Sequence, residues 1–162
     1  MPKKRINGSS SLESQLIFTY PENIRFRCSK CALCCGDTKE KQRKILLLES
    51  DVKRISNYIG KDTGDFTKII SGREPYAYLM KKDNGGRCIF LEEKNCSIYT
   101  NRPLVCKFYP FELINLGAYR YSFICTKECP AVGTGPILKK TFYTKLVNQA
   151  EKSLRTNPLE CK

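Results

Sequence analysis

Four thiols fall within eight residues at Cys28-Ser29-Lys30-Cys31-Ala32-Leu33-Cys34-Cys35, in a chain of 162 residues with ten cysteines and no histidine. Any metal site here must be built from sulfur, and thiolate donors select zinc or iron–sulfur clusters over hard cations. The lack of histidine also removes every Ser-His-Asp and Cys-His arrangement. The carboxylates are scattered and no pair stands out as acid and base, so catalysis is left open.

Whether such thiols cross-link or chelate depends on the compartment. Met1-Pro2-Lys3-Lys4-Arg5 is basic, but Ile6 to Leu16 is polar and serine-rich rather than the apolar core of a signal peptide. Ile45-Leu46-Leu47-Leu48 is a short apolar run, where a membrane span needs roughly 20 residues. A cytoplasmic chain with no membrane association is therefore expected. In a reducing compartment clustered thiols indicate metal binding or redox chemistry rather than a disulfide framework. The formal charge of +13 drops by about four if eight thiolates hold two dications, which leaves the chain basic. That charge admits nucleic acid as a partner, but a high pI alone does not establish such binding. Solubility is the favoured reading, with a protein or redox partner of unknown identity.

Three regions are expected: a flexible basic tail over residues 1–20, a cysteine-cluster metal-binding domain over 21–156, and a C-terminal tail over 157–162. Gly36 closes the thiol cluster where a tight turn would need φ > 0. Residues 43–48 read as a short strand. Ser50 is placed to cap a helix whose Val52, Ile55 and Ile59 share a face, and Gly60 is placed to end it. A second helix is expected from Thr63 to Ile70, with Phe66, Ile69 and Ile70 as its apolar face. Tyr76 to Lys82 reads as a strand, and Asn84-Gly85-Gly86 as a turn into residues 87–91. Pro103 is expected at the first position of a short helical turn carrying Cys106. Phe111 to Leu116 and Tyr119 to Ile124 are two further strands. Pro136 is expected to open a long helix reaching about Arg155, with Leu138, Phe142, Leu146, Ala150 and Leu154 as its buried stripe. The fold class is thus α+β: a small single domain of short antiparallel strands, short helices, a C-terminal amphipathic helix and metal-binding cysteine loops.

Nine cysteines lie in or beside loops and turns, while Cys161 stands apart near the C-terminus. Cys28–Cys31 and Cys125–Cys129 have the spacing of zinc knuckles, so a structural Zn2+ site is possible. Cys28-x2-Cys31-x2-Cys34 has the interval with which bacterial ferredoxins hold a [4Fe-4S] cluster, and Cys129-Pro130 matches the Cys-Pro of a distant ligand. Neighbouring Cys34 and Cys35 are expected to point to different sides.

Cys28-x2-Cys31-x2-Cys34-Cys35-Gly36, Cys88-Ile89-Phe90-Leu91 and Cys96-Ser97-Ile98-Tyr99-x2-Arg102-Pro103-x2-Cys106-Lys107-x-Tyr109-Pro110-Phe111 occur in that order. This pattern resembles the CxxCxxCC zinc- or iron-chelating family, the YkgJ-type cysteine-cluster proteins, which include flagellin lysine N-methylases. The resemblance implies metal ligands at Cys28, Cys31, Cys34, Cys35, Cys88, Cys96 and Cys106. Cys125 and Cys129 resemble the C-terminal thiol pair of many members. The methylase activity does not carry over, because those enzymes are much longer and no glycine-rich strand–helix motif is present here. Arg102 is a candidate cofactor contact, its guanidinium facing a negatively charged cluster, with a plain cap or a surface ion pair as the alternative. Tyr99, Phe108, Tyr109 and Phe111 either shield a cluster or form core. Two functions are weighed: an iron–sulfur protein with a redox or enzyme-accessory role, and a zinc-stabilised module with a basic surface for nucleic acid or protein.

Overall fold

The structure is a computed structural model, and it describes residues 16–155. Residues 1–15 of the expected tail over 1–20, and the whole expected tail over 157–162 with Cys161, lie outside the described residues. The described residues form an α+β fold of short strands and four α-helices. None of these helices is long and apolar enough to cross a membrane.

One layer is the sheet of β1 (Ile17–Thr19), β9 (Arg120–Cys125) and β8 (Phe111–Gly117), in that order. β8 and β9 form an antiparallel hairpin, whereas β1 runs parallel to β9 with Phe18 opposite Tyr121. Ile17–Thr19 is therefore sheet rather than tail, a correction to the expected 1–20 boundary. The helix α4 (Lys140–Arg155) covers this sheet. Its buried line is Tyr143, Leu146, Val147 and Ala150, the alternating three- and four-residue step of a helix face. The expected stripe kept every fourth residue and so missed Tyr143 and Val147, while Phe142 and Leu154 only flank the core. Tyr143 packs edge-on to Phe111 and Phe123, each with ring centroids 5.2 Å away.

Pro136 does not open this helix. It lies in β10 (Val132–Ile137), which pairs antiparallel with β2 (Arg25–Phe26) through an irregular register. A proline cannot donate to a ladder and is tolerated at such a bulge. Gly133 and Gly135 supply the positive φ angles, 94° and 77°, that let the strand deviate. A Cβ on Gly135 would stand 2.5 Å from Arg27 Cβ, so only glycine lets the two strands close.

The second layer is the sheet of β3 (Leu46–Leu47), β5 (Tyr78–Met80) and β4 (Thr67–Ile69), all antiparallel. It packs with α1 (Glu49–Ile59) around Leu47, Val52, Ile55, Phe66 and Met80. The expected helix from Thr63 stops at Phe66, as α2 (Thr63–Phe66). Thr67 onward turns into strand because pairing with β5 overrides a weak local preference. Ile69 is consequently 83% exposed rather than part of an apolar face.

Ser50 is not the cap of α1. The cap is Leu48, whose N–H donates to Asp51 Oδ2 at 3.1 Å. Asp51 is fully buried and also accepts from Arg54 Nη2 at 2.7 Å and from the Leu104 N–H at 3.1 Å. One carboxylate thus joins the start of α1 to the start of α3 (Leu104–Phe108), for which Pro103 is the cap rather than the first helical residue. Gly60 ends α1 in the left-handed conformation, as expected.

Candidate metal centre

The backbone brings the thiols together in three steps. In the β2–β10 ladder Phe26 lies opposite Val132. Continuing antiparallel past that pair sets Cys28, two residues on, against the region of Cys129, three residues back. The loop after Cys28 then turns through Lys30 (φ 55°) and Ala32 (φ 64°) into a short 3-10 turn over Leu33–Cys35. Gly36, expected at φ > 0, is extended (φ −155°). Its role is close approach: it bridges to Arg87, where a Cβ would stand 3.3 Å from the arginine side chain.

That bridge carries the next thiol. The Cys88 N–H donates to Cys35 O at 2.6 Å. The turn before Cys88 is held by Asp83, whose Oδ1 accepts from the Gly85 and Arg87 N–H groups, both at 2.9 Å. Toward the preceding strand, residues 87–91 make only the isolated Lys82–Cys88 bridge and are not a full hairpin partner for β5. The chain instead pairs β6 (Leu91–Glu92) with β7 (Asn95–Cys96), and the Leu91 N–H donates to Cys88 O, which sets Cys96 beside Cys88. Cys106 arrives last, on α3. Cys35, Cys88, Cys96 and Cys106 all pack on the core around Ile55 and Ile98.

These elements enclose a cavity of about 810 Å³ that eight cysteines line: Cys28, Cys31, Cys34, Cys35, Cys88, Cys96, Cys106 and Cys129. Cys125 is not among them. It packs on the other core, near Tyr143, and its thiol faces Thr126 O at 3.6 Å. Contrary to expectation, Cys34 and Cys35 share a side, with their Sγ atoms 3.8 Å apart. Cys28 and Cys31 are exposed, whereas Cys88 and Cys129 are buried. As they stand, no three Cys, Asp or Glu side chains among the described residues converge tightly enough to hold one ion. The thiols are spread around the wall.

Among the described residues, charge in the lining is of one sign. Arg27, Lys30, Arg43, Lys44, Lys94, Arg102 and Lys107 line the cavity with no carboxylate among them. Contact with Cys35 and then burial push Cys34 well above the ordinary thiol range, so that without metal it holds its proton. Burial pushes Cys88 up to about 11 and raises Cys106 beyond the range in which a thiol ordinarily ionises. Burial raises Cys96 as well, and the Arg102 charge works against that rise. Metal entry must therefore displace protons.

Arg102 takes the role of a cap and also lines the cavity. It donates to Tyr99 O at 2.7 Å, capping the turn, and its guanidinium lies 3.9 Å from the Tyr99 ring centroid at the cavity wall. Phe108 and Phe111 are core, whereas Tyr99 and Tyr109 line the cavity. Arg43 went unnoticed in the sequence, where it only precedes an apolar run. Its Nη2 pairs with Glu128 at 2.8 Å, and its guanidinium lies 5.8 Å from the Tyr109 ring centroid. Arg43 Nε and the Tyr109 hydroxyl are both buried without a hydrogen-bond partner among the described residues. Burial pushes Tyr109 up to about 12, so its hydroxyl remains a donor near neutrality.

An α+β scaffold whose loops gather thiols around a basic cavity defines a cysteine-based metal-binding domain. Residues 27–153 match the CxxCxxCC family, described as a "putative zinc- or iron-chelating domain", and the chain belongs to that family. An uncharacterized protein of Methanocaldococcus jannaschii is 30% identical over 101 residues, covering 58% of this chain and 49% of that protein. The matched stretch thus spans about half the length of this relative. No solved structure matches.

Proposed function

We propose that this chain is a cytoplasmic iron–sulfur protein, that its thiol-lined cavity holds the cluster, and that it serves a redox or accessory role toward an enzyme partner. The observation that carries this reading is the set of eight thiols around one cavity of about 810 Å³. Soft sulfur donors without any carboxylate suit iron–sulfur or zinc and do not suit magnesium or calcium. Ligands spread around a wide wall favour a polynuclear group over a single ion with bonds of about 2.3 Å. Such a cluster supplies one-electron transfer when bound. The chain's own contribution is to position it: the Cys88–Leu91–Cys96 turn and α3 hold Cys88, Cys96 and Cys106 against one core, while Cys28 and Cys31 ride on an exposed loop. Arg102 and Arg43 set positive charge near the sulfurs, which favours the reduced state of a cluster.

A second reading is favoured by one distance. The 3.8 Å between Cys34 Sγ and Cys35 Sγ equals the edge, about 3.8 Å, of a tetrahedron with zinc–sulfur bonds of about 2.3 Å. A structural zinc site holding a basic interaction module would use that pair. Anaerobic purification followed by visible absorption, acid-labile sulfide and element analysis separates the two. Iron with comparable sulfide and a brown colour are expected. Zinc without sulfide, in a colourless protein, would replace the first reading by the second.

A further inference from the structure

We propose that Glu128 is a positioning residue for the thiol cavity: its carboxylate clasps the Cys129 loop to the turn over residues 37–43 and so keeps Cys129 in the cavity wall. The role rests on the metal-binding reading only in taking Cys129 as a ligand. Glu128 immediately precedes Cys129, a buried thiol of the lining. Each of its carboxylate oxygens has a cation of its own. Oε1 meets Lys41 Nζ at 2.9 Å, and Oε2 meets Arg43 Nη2 at 2.8 Å.

The turn that supplies these cations is held by other bonds. The Thr38 N–H donates to Lys41 O at 2.9 Å, and the Lys41 N–H donates to Thr38 Oγ1 at 3.1 Å. At its start the Asp37 N–H donates to Gly86 O at 2.9 Å. Asp37 Oδ1 accepts from the Arg43 N–H at 2.7 Å and pairs with Lys82. Lys41 and Arg43 therefore stand on a turn already joined to the stretch that carries Cys88. The Cys129 loop is tied mainly at its ends. The Thr126 N–H donates to Pro110 O at 2.8 Å, and Val132 begins the ladder with β2. Between them the Glu128 N–H donates to Thr126 Oγ1 at 3.2 Å, a bond internal to the loop. Among the described residues, Glu128 is the one side chain over 126–131 that hydrogen-bonds or pairs with a distant part of the chain. An isolated exposed ion pair contributes little, but charges joined in a network contribute more. The effect is local: the clasp sets how often this loop opens.

The test uses the full chain, stripped of metal and kept reduced and anaerobic, with iodoacetamide as probe and mass spectrometry to read each cysteine. Cys125, at the end of β9 and ahead of the Thr126 anchor, is the internal reference. Glu128→Gln should raise the ratio of Cys129 to Cys125 alkylation about threefold. Lys41→Gln, which removes a partner that lines no part of the thiol cavity, should raise it about twofold. Charge alone would move the two variants in opposite directions, because loss of a nearby anion favours a thiolate and loss of a cation disfavours it. A rise in both marks opening of the loop. Sodium chloride raised from about 0.05 to 0.5 M should bring the wild-type ratio toward those of the variants. In metal-loaded protein, Glu128→Gln should release metal to excess EDTA about threefold faster. A ratio that fails to rise in either variant overturns the inference. A wild type that takes up no metal while both ratios rise upholds the clasp and counts against the metal-binding reading instead.

Discussion

Asp51 shows how one side chain decides the geometry of a site it does not touch. Its buried carboxylate holds the Leu48 and Leu104 N–H groups and Arg54, and Arg54 Nη2 continues to Arg102 O at 3.1 Å. Asp51→Ala leaves two buried N–H groups unpaired and takes from Arg54 its carboxylate, and should destabilise the protein by about 3 kcal/mol in urea unfolding. Tyr121 gives a pH signature. Burial, and then its hydrogen bond to Glu151, push it from an ordinary 10.0 up to about 12. The folded state thus keeps a proton that the unfolded chain loses first. The stability this contributes is complete below about pH 10 and is lost as pH rises toward 12. Tyr121→Phe should flatten that part of the pH–stability curve, and an unchanged curve would contradict the assignment. At this scale the thiols were plainly legible in the sequence, because spacing survives without coordinates. Arg43 was not, because its importance arises from Tyr109 and Glu128, residues distant in sequence that only the fold brings near.

Among the elements, sequence pattern succeeded where periodicity was long and local, as in α1, β8 and β9, and failed where pairing decided. The stretch from Thr63 carries Phe66, Ile69 and Ile70 at helical spacing, yet Thr67–Ile69 is strand because β5 offers a ladder. Phe66→Ala should therefore cost about 4 kcal/mol, whereas Ile69→Ala should stay within about 0.5 kcal/mol; similar costs for both would restore the helix. Pro136 misled in the same manner, as a common helix opener that here sits in a strand bulge. Gly135→Ala sets a Cβ into Arg27 and should separate β10 from β2. The expected result is a loss of about 2 kcal/mol or more, with metal content falling too, since that ladder places Cys28 and Cys129.

At the scale of the whole molecule, the described residues pack into two apolar cores, one under α4 and one under α1, and loops attached to both contribute thiols to the cavity. Neither core needs sulfur–metal bonds to pack, but the Cys28–Gly36 loop has little apolar burial of its own. Chelation of metal under reducing conditions should therefore leave far-UV circular dichroism largely intact while hydrogen exchange rises across that loop. Global stability should fall by about 3 kcal/mol, because a metal that binds only the folded state stabilises it. The most direct test of the central claim is metal stoichiometry in anaerobic preparations of the wild type and of Cys88→Ser, Cys106→Ser and Cys125→Ser. Iron or zinc in whole-number ratio is expected in the wild type and in Cys125→Ser, with loss in the Cys88 and Cys106 variants. A folded wild-type protein free of both metals, or equal metal in all four proteins, would contradict the account.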